Sequence, residues 1–107
     1  KIQYVADPAT NELVTGDIRQ ETSQVMRNVE AVLKAAGMNF SNVIKSTIFI
    51  TNMNDFPLIN EVYGSFFQEG EKHLSDQKPV YPARETVQVA ALPKGVNVEI
   101  SVIAIGS

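Results

Sequence analysis

The sequence predicts an α+β domain in which two helices cover one face of a mixed β-sheet. Two segments, 17–36 and 55–68, repeat apolar residues at helical spacing. Three others, 43–51, 84–91 and 97–105, are rich in β-branched residues or alternate apolar with polar side chains. A chain of 107 residues has room for one hydrophobic core, so these elements are expected to form a single domain.

The chain opens with a short apolar stretch, Ile2 to Ala6, which we expect to form a strand. Asp7-Pro8 is typical of a turn, and Leu13-Val14 is expected to begin a second short strand. The first residue is Lys1, and no signal-peptide pattern is present. We therefore expect a cytoplasmic protein, or a mitochondrial one if a targeting segment has been removed.

The two helices carry recognisable end signals. Asp17 can cap the first helix, and Gly37 follows it where a left-handed stop residue belongs. Asn54 or Asp55 can cap the second helix, and a polar loop, Glu69 to Val80, follows that helix. The apolar stripes of the two helices are Val25, Val29, Val32, Leu33 and Ala36, then Ile59, Val62, Tyr63, Phe66 and Phe67. In the strand 43–51, Ile44, Ser46, Ile48 and Ile50 are expected to share one face.

The last two strands, Arg84 to Ala91 and Asn97 to Ile105, are expected to pair as a hairpin through the turn Leu92 to Val96. Their alternation leaves one sheet face half polar and half apolar, which indicates oligomerisation through that face. The polar residues expected on this open face are Arg84, Thr86, Gln88, Glu99 and Ser101.

Composition excludes several classes of chemistry. The absence of cysteine excludes disulfides, thiolate nucleophiles and cysteine-ligated zinc. His73 is the only histidine, so one chain cannot build a multi-histidine metal site, and its polar loop indicates a surface residue. A net charge of −3 argues against nucleic-acid binding. No apolar run reaches the roughly 20 residues that a membrane span needs.

Two charged residues of the predicted hairpin are candidates for a functional site. Arg84 follows Pro79 and Pro82, which stiffen the backbone, and its guanidinium would either anchor a small carboxylate or form a salt bridge. Glu99 lies mid-strand, where burial would raise its pKa toward that of a general acid or base. Otherwise it is an exposed strand residue or a salt-bridge partner.

In a regular hairpin, the backbones of Arg84 and Glu99 would be on the order of 13–17 Å apart. A shared site therefore needs a bulge, a bridging ligand or water, or one residue from each of two subunits.

The most distinctive run of the chain is YPARETVQVAALPKG at 81–95, followed by Val98-Glu99-Ile100. Further matching segments are 28–37, 43–50 and 54–63. With these segments the sequence resembles the Rid family of reactive intermediate deaminases, also called the YjgF family, over nearly its whole length. The resemblance implies a chorismate-mutase-like fold and a barrel-like homotrimer with ligand clefts between neighbouring subunits.

The resemblance also implies an activity. Family members hydrolyse enamines and imines such as 2-aminoacrylate, 2-iminobutanoate and 2-iminopropanoate, which pyridoxal-phosphate enzymes release, to 2-keto acids and ammonia. They use no cofactor or metal. Carried over to this chain, Arg84 clamps the substrate carboxylate, Glu99 holds or activates water, Thr86 contacts the cleft, and Asn60 lies beside it.

The resemblance has departures. Family members usually begin with two more short strands carrying a Gly-Pro-Tyr-Ser-Gln-like segment, so its tyrosine is expected to have no counterpart here, and Lys1 and Ile2 replace a serine and a glycine of the cleft. This keeps a second function open, a non-catalytic trimer that binds small carboxylates or protein partners. A ribonuclease, claimed for some relatives, is disfavoured by the acidic balance and the single histidine.

Overall fold

The computed structural model describes residues 2–3, 17–70 and 82–106. Besides short 3-10 turns, these residues form six elements, which are β1 (Ile2–Gln3), α1 (Ile18–Ala35), β2 (Val43–Ile50), α2 (Phe56–Gly70), β3 (Ala83–Gln88) and β4 (Val98–Ala104). The strands form one mixed sheet in the order β1-β4-β2-β3, so the predicted α+β class is confirmed. The predicted turn at 7–8, the strand at 13–14 and the loop with His73 lie outside the described residues.

Helix α1 begins and ends close to where its sequence signals predict. The Arg19 backbone N–H donates to the Asp17 carboxylate at 2.9 Å, which caps the first turn. At the other end Gly37 has a φ of 74°, and the Met38 N–H donates to the Leu33 carbonyl at 2.8 Å. The helix turns Val25, Met26, Val29 and Leu33 into the core.

Strand β2 contains a bulge that changes which side chain is buried at its start. Val43 pairs with Ala104 but Lys45 pairs with Ile103, so Ile44 is an extra residue on β2. Val43 is buried, whereas Ile44 is 49% exposed. The prediction that Ile44 shares one face with Ser46, Ile48 and Ile50 is therefore wrong, because the bulge shifts the alternation by one residue. Ser46, Ile48 and Ile50 do share a face, and all three are buried.

The predicted hairpin between β3 and β4 is wrong, because β2 lies between them. Helix α2 carries the chain back so that β3 runs parallel to β2, with Arg84 opposite Ser46. Strand β4 pairs antiparallel along the other side of β2, with Glu99 opposite Phe49. The residues between β3 and β4 thus cross over the end of β2 instead of making a tight turn.

Helices α1 and α2 cover one face of this sheet, and the core lies between them and the sheet. Residues directly opposite on paired strands point to the same face. The helix-covered face therefore carries Ile48, Ile50, Val98 and Ile100, all fully buried. We call the other side the open face; it carries Lys45, Thr47, Phe49, Glu85, Val87, Glu99, Ser101 and Ile103.

Candidate functional site

The guanidinium of Arg84 is held at the edge of the sheet by three side chains of α2. Its carbon Cζ lies 5.4 Å from the ring centroids of both Phe56 and Tyr63. Its Nη1 donates a hydrogen bond to the Asn60 side-chain oxygen. We call Phe56, Asn60 and Tyr63 the arginine cage. The structure therefore brings together two of the predicted site residues, Arg84 and Asn60.

Helical geometry explains how α2 builds the arginine cage. Residues 56, 60 and 63 are separated by four and three positions, so they lie on one side of the helix, facing β3. A cation over an aromatic ring gains about 0.5–1 kcal/mol at an exposed site. The two rings and the Asn60 oxygen thus restrict the conformation of the Arg84 side chain, which is otherwise exposed. The guanidinium has further N–H groups that can donate hydrogen bonds to a ligand.

Beneath Arg84, two hydroxyl groups are buried without a hydrogen-bond partner among the described residues, those of Ser46 and Tyr63. Burial raises the pKa of Tyr63, while the nearby Ser46 hydroxyl and the positive charge of Arg84 act in the opposite direction. The two hydroxyls are thus close enough to influence each other, although their geometry falls outside a hydrogen bond. The phenol stays protonated, because burial outweighs both opposing effects.

Arg84 lines an open cleft of about 700 Å³ between α2 and the start of β3. Glu61 also lines it, but its carboxylate is paired with Arg19 at 3.1 Å. Among the described residues no carboxylate is paired with Arg84, so its charge is available there to attract an anion. A planar guanidinium matches a carboxylate with two parallel hydrogen bonds. The lining residues are Asn60, Glu61, Tyr63, Gly64, Ser65, Pro82 and Arg84.

Thr86 lies two residues beyond Arg84 on β3, on the same helix-covered side, opposite Ile48. Its side chain is half-buried. Its predicted contact with a ligand stays a prediction, because the cleft beside Arg84 is lined by the residues named above.

Glu99 lies on the open face, opposite Phe49, and is 6% exposed. Burial raises the pKa of its carboxyl above the usual glutamate value, which is the direction that favours a general acid or base. Of the alternatives that the sequence left open for Glu99, the structure has the buried acid and not the exposed strand residue.

Arg84 and Glu99 do not meet within one chain. Arg84 faces α2, so the prediction that Arg84, Thr86 and Gln88 share the open face with Glu99 and Ser101 is wrong. The prediction that Arg84, Thr86 and Gln88 share one side of β3 is correct, but this side faces the helices and not the open face. Arg84 and Glu99 are offset by three residues along β2 and by two strand spacings, on the order of 14 Å between backbones.

Three residues around Arg84 have roles that the sequence analysis missed. Phe56 was not singled out, and Tyr63 was assigned to the core, although its ring also supports Arg84. The Gln88 side-chain oxygen accepts from the Met53 N–H at 2.8 Å and so fixes the turn that leads into α2. The spacing of residues 56, 60 and 63 predicts that they share one side of α2. That side faces β3 because β3 pairs parallel with β2, and the sequence did not reveal this pairing.

Neither a cluster of metal ligands nor a membrane-spanning helix is found among the described residues. Within residues 17–70 and 82–106, no three His, Cys, Asp or Glu side chains are grouped to hold a metal ion. No described helix is both long enough and apolar enough to span a membrane.

Comparison with known sequences gives one family model, named endoribonuclease L-PSP, which matches residues 3–106. The chain is 47% identical over 103 residues to protein DfrA of Myxococcus xanthus, covering 96% of this chain and 71% of that protein. It is 43% identical over 103 residues to a 2-iminobutanoate/2-iminopropanoate deaminase of Bos taurus, covering 96% of this chain and 68% of that protein.

Comparison with solved structures gives the same result. The fold is similar to that of TdcF from E. coli with bound serine, with a TM-score of 0.88 and 41% sequence identity. That match covers 100% of this chain and 78% of TdcF. A solved relative has therefore bound a small amino acid, a molecule that carries the carboxylate group that Arg84 is suited to hold.

Proposed function

Because this chain belongs to the Rid (YjgF) family, the family of the endoribonuclease L-PSP model, we propose that it is an enamine and imine deaminase. Its substrates are 2-imino acids such as 2-iminopropanoate and 2-iminobutanoate, or their enamine forms, released by pyridoxal-phosphate dehydratases. The observation that carries the proposal is Arg84, held by the arginine cage beside an open cleft. A relative at 43% identity carries the name of this activity.

Arg84 binds the substrate carboxylate in this proposal. Asn60 accepts one guanidinium N–H and the two rings fix the guanidinium plane, so little side-chain freedom is lost when a ligand binds. Asn60 is then a positioning residue, and Thr86 lies on the same side of β3, where it extends the binding surface.

Glu99 supplies the proton transfers. As a carboxylate it takes a proton from water as the water oxygen bonds to the carbon of the protonated imine and the C=N π electrons move to nitrogen, which gives a carbinolamine. As an acid it returns that proton to nitrogen. The carboxylate then takes the hydroxyl proton of the carbinolamine as the C=O bond forms and the C–N bond breaks, and the departing ammonia takes up this proton as ammonium, which leaves the 2-keto acid and restores the carboxylate. Its raised pKa suits both directions, and imines need little more than orientation and one proton relay.

The two residues of one site come from two copies of the chain in this proposal. Arg84 and Glu99 lie on opposite faces of one sheet, so a second copy must supply one of them. The open face suits such an assembly, because Val87 and Ile103 are 41% and 54% exposed there. We propose a homotrimer with clefts between neighbouring subunits, as the family resemblance implies.

RNA cleavage is not proposed, although the family model carries the name endoribonuclease. The chain has a net charge of −3 and one histidine, His73. A nucleic-acid site favours a basic surface, and this composition does not supply one.

The test couples a serine or threonine dehydratase to the purified protein and follows the decay of the imine. Arg84→Ala is expected to lower kcat/KM by roughly 100-fold or more, because the charge-assisted contact with the carboxylate is lost. The matched control is Arg27→Ala, which removes an exposed arginine of α1 that is not among the residues lining this cleft. That variant is expected to keep wild-type activity.

Two results would contradict the proposal. Equal activity of Arg84→Ala and Arg27→Ala would remove Arg84 from the site. A folded protein that binds 2-keto acids through Arg84 without accelerating imine decay would instead be a carboxylate-binding module.

A further inference from the structure

Glu21, in the first turn of α1, is fully buried and holds the residue that precedes β4. One carboxylate oxygen accepts the backbone N–H of Asn97 at 2.6 Å. The other accepts the side-chain amide of Asn97 at 2.9 Å. Both oxygens of a buried carboxylate are thus directed at one residue, 76 positions away in the sequence.

Asn97 is also fixed from the end of β2. The Thr51 N–H donates to the Asn97 carbonyl at 3.2 Å, and the Thr51 hydroxyl lies 3.5 Å from the Asn97 side-chain oxygen. Helix α1 and strand β2 therefore clamp the same residue from two sides. The register that begins there continues into β4, where it places Glu99 opposite Phe49.

Glu99 is two residues beyond Asn97, which is one pleat of a strand, or about 7 Å. A slip of one residue in β4 would turn the Glu99 carboxyl to the helix-covered face. An apolar residue at position 21 would also pack α1 against the sheet, and no carboxylate would then have to be desolvated. Such a residue could not accept a hydrogen bond from the Asn97 backbone N–H, so it would not fix Asn97 at one position. The directed contacts therefore favour register control over packing alone.

We propose that Glu21, acting through Asn97, is a positioning residue that sets the register of β4 and thereby the orientation of the Glu99 carboxyl. The proposal rests on the proposed function, in which Glu99 transfers protons. Glu21 touches no reacting atom in this scheme. Its removal should therefore affect the chemical step and leave substrate binding by Arg84, on β3, unchanged.

The test compares Glu21→Gln and Glu21→Met with the control Thr22→Val. Gln keeps one acceptor for Asn97 and Met keeps none, so kcat is expected to fall about tenfold for Gln and further for Met, with KM little changed. Thr22 is equally buried and adjacent, and its hydroxyl donates to the Ile18 carbonyl at 2.7 Å. Thr22→Val is expected to lower Tm without changing kcat.

A second readout does not depend on activity. Nuclear magnetic resonance titration of the Glu99 carboxyl is expected to move toward the value of an exposed glutamate in Glu21→Gln, because a loosened β4 exposes it. Unchanged kcat and an unchanged Glu99 titration in folded Glu21→Gln would overturn the proposal. If the wild type lacks imine hydrolysis, the proposed function fails, and the titration alone decides whether Glu21 positions Glu99.

Discussion

Strands β3 and β4 carry one candidate site residue each, but they hold it in different surroundings. Strand β3 is an edge strand, and five of its six side chains are exposed. Strand β4 lies between β1 and β2, and its first three residues, Val98 to Ile100, are buried. Arg84 is therefore held by side chains of α2, whereas Glu99 is held by the backbone register of the sheet.

In the proposed function, this difference separates substrate binding on β3 from proton transfer on β4. Substitutions on β3 change an exposed strand, so they can alter ligand binding while the core stays intact. Substitutions on β4 change the core and the position of Glu99 together. The helix-side placement of one residue and the open-face placement of the other also make the site depend on a second copy, as proposed above.

The strongest test of this separation mixes two inactive variants, Arg84→Ala and Glu99→Gln. If each site takes its arginine from one copy and its glutamate from another, trimers refolded together at equal amounts regain about one quarter of the wild-type sites, because each intact residue is present in half the copies. Specific activity before and after co-refolding measures this recovery. A mixture that stays as inactive as its separate components would place both residues in one chain.

A stability measurement compares the two strands directly. Ile100 is fully buried, so Ile100→Ala is expected to lower the free energy of unfolding by about 2–5 kcal/mol. Val87 is 41% exposed on the open face, so Val87→Ala is expected to cost less than about 1 kcal/mol at low protein concentration. Urea unfolding at several protein concentrations measures both values.

The Val87→Ala cost is expected to grow with protein concentration, because the open face becomes buried when copies associate. Equal costs for the two variants at every concentration would contradict the contrast between a core strand and an edge strand.

The smallest expected effect concerns pH. Burial raises the pKa of Glu99 in the folded state above its unfolded value, so the folded state loses stability as pH rises from the unfolded value through the folded one. Glu99→Gln does not ionise and lacks this loss. The variant is therefore expected to have the higher Tm at neutral pH, and the difference should vanish below roughly pH 4, where the glutamate is protonated in both states.

Thermal unfolding of wild type and Glu99→Gln across this pH range measures the effect. Glu85→Gln is a matched control, because Glu85 is exposed on β3 and pairs with Lys45 at 3.3 Å. A Tm difference between wild type and Glu99→Gln that is independent of pH would show that burial of the Glu99 charge is not its cause.

Local sequence signals predicted the elements well. Asp17 and Gly37 mark the ends of α1 because capping and left-handed backbone depend on single residues. The apolar spacing of α2 likewise placed Ile59, Tyr63 and Phe67 in the core. Family resemblance pointed to Arg84 and Asn60, which the structure places in contact.

Pairing between distant strands was not predictable in the same way. The connection Leu92 to Val96 has turn residues that suit a hairpin, and nothing local reveals that β2 separates the two strands. The bulge at Ile44 depends on the register with β4, so alternation alone assigned it to the wrong face. The contact between Glu21 and Asn97 also joins distant segments, so local signals did not predict it. Glu21 lies four residues before Val25 on the buried stripe of α1, and this spacing was the one signal for a buried acid.

The sheet order also bears on how the chain folds during translation. Strand β4, the last of the described strands, inserts between β1 and β2, which are made first. Among the described strands, β1 pairs only with β4, which emerges from the ribosome last. Because such pairing joins residues about a whole domain apart, we expect this step of folding to be slow and to follow synthesis. Until then we expect the edge of β2 that pairs with β4 to be exposed to other nascent chains.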